Sequence, residues 1–153
     1  MDRRLSYQTR VHWTGNRGSG TSSYTAYERS HVVSCDGKPD IAGSSDPLFR
    51  GDHKSWSPED LLVSTISACH MLWYLHLCAE AGVVVTGYRD AAEGTMAEDA
   101  RGGRFTEVVL RPAVTVADPA TVERATALHA RAAECCFVAS SVNFPVRHEP
   151  VVS

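Results

Sequence analysis

From Tyr7 to Trp13 aromatic and β-branched residues alternate with polar ones, the period-two pattern of a half-buried strand. Thr14-Gly15-Asn16-Arg17-Gly18-Ser19-Gly20-Thr21 is turn chemistry throughout. Tyr24 to Val33 then resumes as a second strand, which predicts an N-terminal hairpin with a long loop. Cys35 to Trp56 is dense in Gly, Pro, Asp and Ser, with one short extended piece near Ile41. Loops of that length are more often functional than idle. Val83 to Met96 and Phe105 to Val116 predict two more strands around a polar turn from Ala97 to Arg104. Asp118-Pro119 caps a second helix that runs to about Cys135, with Val122, Ala125, Leu128 and Ala132 on one stripe. A short segment from Phe137 to Val142 leads to a last strand from about Phe144 to Val151. These elements predict a single α+β domain over residues 1–153.

The longest element lies in the middle of the chain. Ser57 suits an N-cap, Pro58 the first helical position, and Asp60 stands three after Ser57 as in a capping box. The apolar run holds to Ala81, and Gly82 is a natural stop. About 24 residues at roughly 1.5 Å each make a helix near ~36 Å long. Leu61, Leu62, Ile66, Met71, Leu72, Trp73, Tyr74, Leu75 and Leu77 cover most of its circumference. Such a helix must be wrapped on nearly all sides. A chain of 153 residues struggles to do so alone, and a partner subunit explains the covering.

Charge narrows the function classes. A net charge of −3 and a pI near 6.1, with no Lys/Arg-rich run, give no electrostatic case for nucleic acid or an anionic membrane. Met1 to Arg10 lacks the apolar centre of a secretory signal. Ser, Thr and His interrupt Leu61 to Cys78, so no apolar stretch is expected to reach the roughly 18 residues that span a bilayer. A cytoplasmic protein is the expectation.

Five cysteines (Cys35, Cys69, Cys78, Cys135, Cys136) include no C-x-x-C pair, which argues against a disulfide framework and a zinc ribbon. Each is then a buried small hydrophobe or a reactive thiol. Cys69, in Ser67-Ala68-Cys69-His70-Met71, is either core packing or a nucleophile that must attack as thiolate. The helix dipole fades within one turn and Cys69 is about three turns in, so ionisation would need a nearby cation. Adjacent cysteines pair only in strained geometry. Either Cys135 or Cys136 therefore meets a distant cysteine, or both are buried, and spacing leaves the two open. His70 points about 100° around the helix from Cys69, as a structural or substrate-lining residue. His76, Cys78 and His129 have no spacing that demands a metal, and neither metal nor cofactor is expected.

Three segments carry a resemblance: Ser57-Pro58-Glu59-Asp60-Leu61-Leu62, Ser67-Ala68-Cys69-His70-Met71-Leu72 and Cys136-Phe137-Val138-Ala139-Ser140-Ser141-Val142-Asn143. They resemble the signature segments of OsmC/Ohr proteins, most closely the OsmC-like branch with a histidine after the helix cysteine. The likeness covers nearly the whole chain in the same order of elements. It implies antiparallel sheets wrapped around the long central helices of an intertwined homodimer. It implies that Cys69 is the peroxidatic cysteine, oxidised to a sulfenic acid, and Cys136 the resolving cysteine that condenses with it to a disulfide. Glu59 matches the family's helix-start glutamate and Arg17 its hairpin-loop arginine, which would supply the missing cation with the glutamate orienting it. Glu59 and Cys69 are ten positions apart, roughly 15 Å along a helix. A glutamate serving that cysteine should therefore come from the other subunit. Two departures stand out: Ala133 replaces a histidine frequent in relatives, and an extra thiol, Cys135, precedes Cys136.

The resemblance implies a thiol-dependent peroxidase, re-reduced by a small dithiol or a lipoyl-bearing protein. Leu72, Trp73 and Phe137, with Trp56 or Phe49 from the loop, would make an apolar pocket suited to alkyl or lipid hydroperoxides. The alternative is an OsmC-like protein whose thiols are structural and whose groove binds a small apolar ligand. A thiol–disulfide oxidoreductase acting on proteins is disfavoured by the missing C-x-x-C motif.

Overall fold

The computed structural model describes residues 2–153, in two compact units that divide between Leu61 and Leu62. The first unit holds an antiparallel sheet of three short strands in sequence order: β1 (Arg10–Trp13), β2 (His31–Ser34) and β3 (Ile41–Gly43). Pairing runs from Trp13↔His31 to Arg10↔Ser34, so the strand expected from Tyr7 begins three residues later, where its partner ends. The segment Tyr24–Ser30, expected as strand, is not one. The Arg29 guanidinium donates to the carbonyls of Tyr27 (2.7 Å) and Tyr24 (2.8 Å) and lies over both rings, which curls the chain instead.

Helix α1 (Pro58–Glu80) starts and stops where the sequence places it. Ser57 Oγ accepts from the Asp60 N–H at 3.1 Å and Asp60 Oδ2 accepts from the Ser57 N–H at 3.0 Å, a reciprocal cap that satisfies two orphan donors. Gly82, at φ 70°, takes the left-handed position that ends the helix without a Cβ penalty. Only Ile66, His70, Tyr74 and Cys78 are fully buried on α1, a single stripe at i, i+4, i+8 and i+12. The expectation that no stretch could span a bilayer is corrected here. By length and composition α1 is long and apolar enough, because scattered Ser, Thr and His residues do not offset its Leu, Ile and Met.

In the second unit the two long strands expected from Val83 and Phe105 are each broken in the middle. β4 (Val85–Asp90) and β5 (Glu93–Asp99) pair antiparallel with β7 (Pro112–Val116) and β6 (Gly102–Leu110) respectively. The last strand is likewise split into β8 (Val146–His148), parallel to β6, and β9 (Val151–Val152), parallel to β7. All three interruptions fall at the same level. There Asp90 Oδ1 accepts the Arg111 N–H at 2.6 Å, and the Leu110 carbonyl accepts the Glu149 N–H at 2.8 Å. Helix α2 (Val122–Cys135) follows a 3-10 turn capped by Asp118. Tyr74 and Cys78 of α1 pack with Val114, Val116, Ala125 and Ala132 on one side of the break. Ile66, Val108 and Leu110 form the second core on the other side.

Candidate functional site

In the first unit, Arg17 sits in a loop shaped by Asn16, whose Oδ1 accepts from the Gly18 and Gly20 N–H groups at 2.9 and 3.0 Å. The loop closes against Glu28, whose N–H donates to the Gly15 carbonyl at 2.9 Å. A Cβ on Gly15 would meet the Glu28 carbonyl oxygen at 1.9 Å, so only glycine allows this approach. Within one chain the Arg17 guanidinium donates to Glu28 Oε1 at 2.7 Å. Both side chains are more than half exposed, and such a pair is worth about 0–1 kcal/mol. Glu59 stands in the first turn of α1, where an acid is favourable next to the helix N-terminus.

In the second unit the structure brings Cys69 and Cys136 together, although one is in mid-helix and the other follows α2. Cys69 is close enough to Cys136 to perturb its ionisation. Cys136 is 1% exposed and Cys69 half-buried. Burial, with a smaller upward contribution from Cys69 and against the lowering pull of the Ala139 and Val138 N–H groups, pushes the Cys136 thiol up to about 11. The Ala139 N–H donates to Cys136 Sγ at 3.5 Å, and Ser140 Oγ donates to the Cys136 carbonyl at 2.9 Å. These bonds form a 3-10 turn, Ala139–Ser141, that fixes the sulfur at the end of α2. Cys78 is buried beside Tyr74 with its thiol pushed up by burial, the environment of an inert structural cysteine. Cys35 and Cys135 are half-buried free thiols.

Trp73 meets Phe137 edge-to-face, with ring centroids 5.4 Å apart, and His76 at 5.8 Å. Leu72 is 62% and Phe137 66% exposed, so these three candidates border an open apolar surface and do not line a closed pocket. A shallow depression of about 270 Å³ is lined by Leu72, Trp73 and His76.

Sequence reading missed a buried histidine stack behind the thiols. His70 Nε2 lies 3.0 Å from His129 Nδ1, and the rings are parallel within 6°. Tyr74 stacks on His129 at 3.9 Å and donates its hydroxyl to the Ala125 carbonyl at 3.0 Å. His148, on β8, stacks against His70 at 5.8 Å and His129 at 6.2 Å. Burial, followed by the neighbouring imidazoles, lowers His70 to about 4 and His129 to about 3, so both are neutral near pH 7. Asp90 holds the middle of α1 to the sheet through Ser67 Oγ, which donates to it at 2.5 Å. His129 lies between Ala125 and Ala132 on the buried stripe of α2, a placement that the helical period contained. Among the described residues no group of His, Cys, Asp or Glu side chains has the arrangement of a metal site.

Residues 51–150 match the family described as OsmC-like protein. The chain belongs to that family. Among solved structures it is similar to an OsmC-like protein of unknown function from Vibrio cholerae, at 29% identity and a TM-score of 0.87. The match covers 97% of this chain and all of that one. An organic hydroperoxide resistance protein from Elizabethkingia anophelis shares the fold at 18% identity and a TM-score of 0.69 over 99% of both chains. An organic hydroperoxide resistance protein OsmC from Legionella pneumophila does so at 16% identity and 0.68, also over 99% of each. No curated protein matches the chain in sequence. The α+β class with an OsmC-like fold, expected from the signature segments, is what these relatives share.

Proposed function

We propose that this OsmC-like protein is a thiol-dependent peroxidase that reduces organic hydroperoxides through Cys69 and Cys136. The observation that supports the reading most is that the fold brings Cys69, in mid-helix, near enough to Cys136, after α2, to perturb its ionisation. The Cys69 thiolate attacks the peroxide, forming an S–O bond as the O–O bond breaks. The alkoxide leaves and takes a proton to become the alcohol. Cys136 then attacks the sulfenic sulfur, the S–O bond breaks, and water leaves as the disulfide forms. A dithiol, either small or lipoyl-bearing, returns two electrons by thiol–disulfide exchange and is itself oxidised. Arg17 and Glu59 are proposed parts of the same machinery, acting at the peroxidatic step. The apolar edge of Leu72, Trp73 and Phe137 favours an alkyl or lipid peroxide over hydrogen peroxide.

A homodimer belongs to the same proposal. Helix α1 buries one stripe and leaves side chains such as Leu72 uncovered, which a second copy would cover. A reducing cytoplasm would keep the five thiols free between turnovers. The ligand-binding alternative has less support, since the cavity at Cys136 is about 30 Å³ and the depression of about 270 Å³ at Leu72, Trp73 and His76 is shallow, whereas ordinary ligand pockets enclose most of their ligand. The test is consumption of cumene hydroperoxide with a dithiol reductant. Loss of turnover in both Cys69→Ser and Cys136→Ser, with Cys135→Ser retaining it, is the expected result. Turnover unchanged by Cys69→Ser would refute the assignment.

A further inference from the structure

The resolving thiol presents a chemical difficulty. A thiol pushed well up by burial is ionised in only a very small fraction of molecules near neutral pH, yet it must attack as thiolate. Its surroundings hold a solution. A small cavity of about 30 Å³ is lined by Cys136, His70 and His148, with Ile66, Leu110 and Val146 among its apolar walls. That is more than the roughly 10–15 Å³ a buried water needs, and the three polar groups match the two to four partners it requires.

The three imidazoles are not equivalent. His70 and His129 are bonded to each other, and burial holds both neutral. His148 is outside that bond, half-buried, and stacked at 29° on His70. Its strand neighbours are engaged elsewhere: Arg147 pairs with Glu107 at 3.1 Å, and Glu149 with Arg111 at 4.0 Å. From α1 and α2 it faces His70 and His129. The carboxylate whose charge reaches the stack is Asp90, through His70.

We propose that His148 is the proton acceptor for Cys136 in the resolving step, working through a single water in the cavity that they share. The inference rests on the peroxidase reading. The Cys136 S–H proton passes to the water as that water passes one to the His148 ring nitrogen. The Cys136 sulfur attacks the Cys69 sulfenic sulfur and the S–O bond breaks. The departing hydroxide takes the proton back from His148 and leaves as water. No net proton or electron is gained or lost by the histidine. His70 and His129 are positioning residues that hold the His148 ring over the cavity.

The experiment is a single turnover with one equivalent of cumene hydroperoxide between pH 7 and 9, following Cys69 sulfenate by trapping and disulfide by intact mass. In the wild-type protein disulfide formation should be nearly independent of pH. In His148→Asn it should be about a hundredfold slower or more at pH 7 and should recover about tenfold per pH unit, as spontaneous ionisation of Cys136 takes over. Sulfenate formation should be equal in both. A purely structural role for His148 would not give that slope. A wild-type rate that itself rises tenfold per unit overturns the inference without reference to any variant, as does a His148→Asn rate equal to wild type at pH 7. If neither wild type nor Cys136→Ser forms a Cys69 sulfenate, the peroxidase reading falls and the inference with it.

Discussion

Acidification should unfold this protein over a window set by its buried histidines. In the folded chain His70 and His129 are each 1% exposed, and their affinities for protons are lowered to about 4 and 3, against 6.5 in an open chain. Both contribute full stability above pH 6.5. As pH falls below that value the unfolded chain takes up two protons that the folded chain refuses, so stability falls until the folded histidines protonate. Between pH 7 and pH 5 the loss comes to about 2 kcal/mol per histidine, about 4 kcal/mol for the pair. That is a large part of the ~5–15 kcal/mol stability of an ordinary domain. Most ordinary carboxylates titrate below about pH 5, which keeps the window clean. Urea unfolding at fixed protein concentration, read at pH 7, 6 and 5, measures the effect directly. His129→Phe keeps a ring on Tyr74 and removes one titrating group, so its loss should shrink to about half. Equal stability at pH 7 and pH 5 would refute the account of the stack.

Three local features give further expectations. Ser57→Ala removes one half of the reciprocal cap of α1 and should cost about 1 kcal/mol in chemical denaturation. Tyr74→Phe deletes the hydroxyl that donates to the Ala125 carbonyl inside the core, with an expected loss of about 1–2 kcal/mol by the same assay. Asp90→Ala takes the acceptor from both the Ser67 hydroxyl and the Arg111 N–H. It should destabilise by about 2–3 kcal/mol, whereas Asp90→Asn, which keeps an acceptor oxygen, should lose less.

Local signals read well from the sequence, and long-range ones did not. The bounds of α1 were legible because its stop and start chemistry is contiguous: Ser57, Pro58 and Asp60 at one end, Gly82 at the other. The second helix was legible for the same reason, and so was the turn expected from Ala97 to Arg104, although the strands pair on into it as far as Asp99↔Gly102. The broken strands were not. Pro112 and Pro150 flank two of the breaks, but what interrupts the ladder is Asp90 reaching the Arg111 N–H, a pairing of residues from separate strands. Tyr24–Ser30 looked extended by composition, yet Arg29 satisfies its carbonyls internally. The thiol pair became visible through resemblance to a family, since no spacing links Cys69 to Cys136. His70, His129 and His148 come from α1, α2 and β8, and only the fold brings their rings together.

The central claim is that Cys69 and Cys136 exchange electrons with an organic hydroperoxide. It is tested most directly by adding one equivalent of cumene hydroperoxide to the reduced protein and mapping the cross-linked peptides by mass spectrometry. The account predicts loss of two hydrogens per chain and a single disulfide joining residues 69 and 136, absent from either serine variant. An unoxidised pair, or a bridge that runs through Cys135 instead, would contradict it.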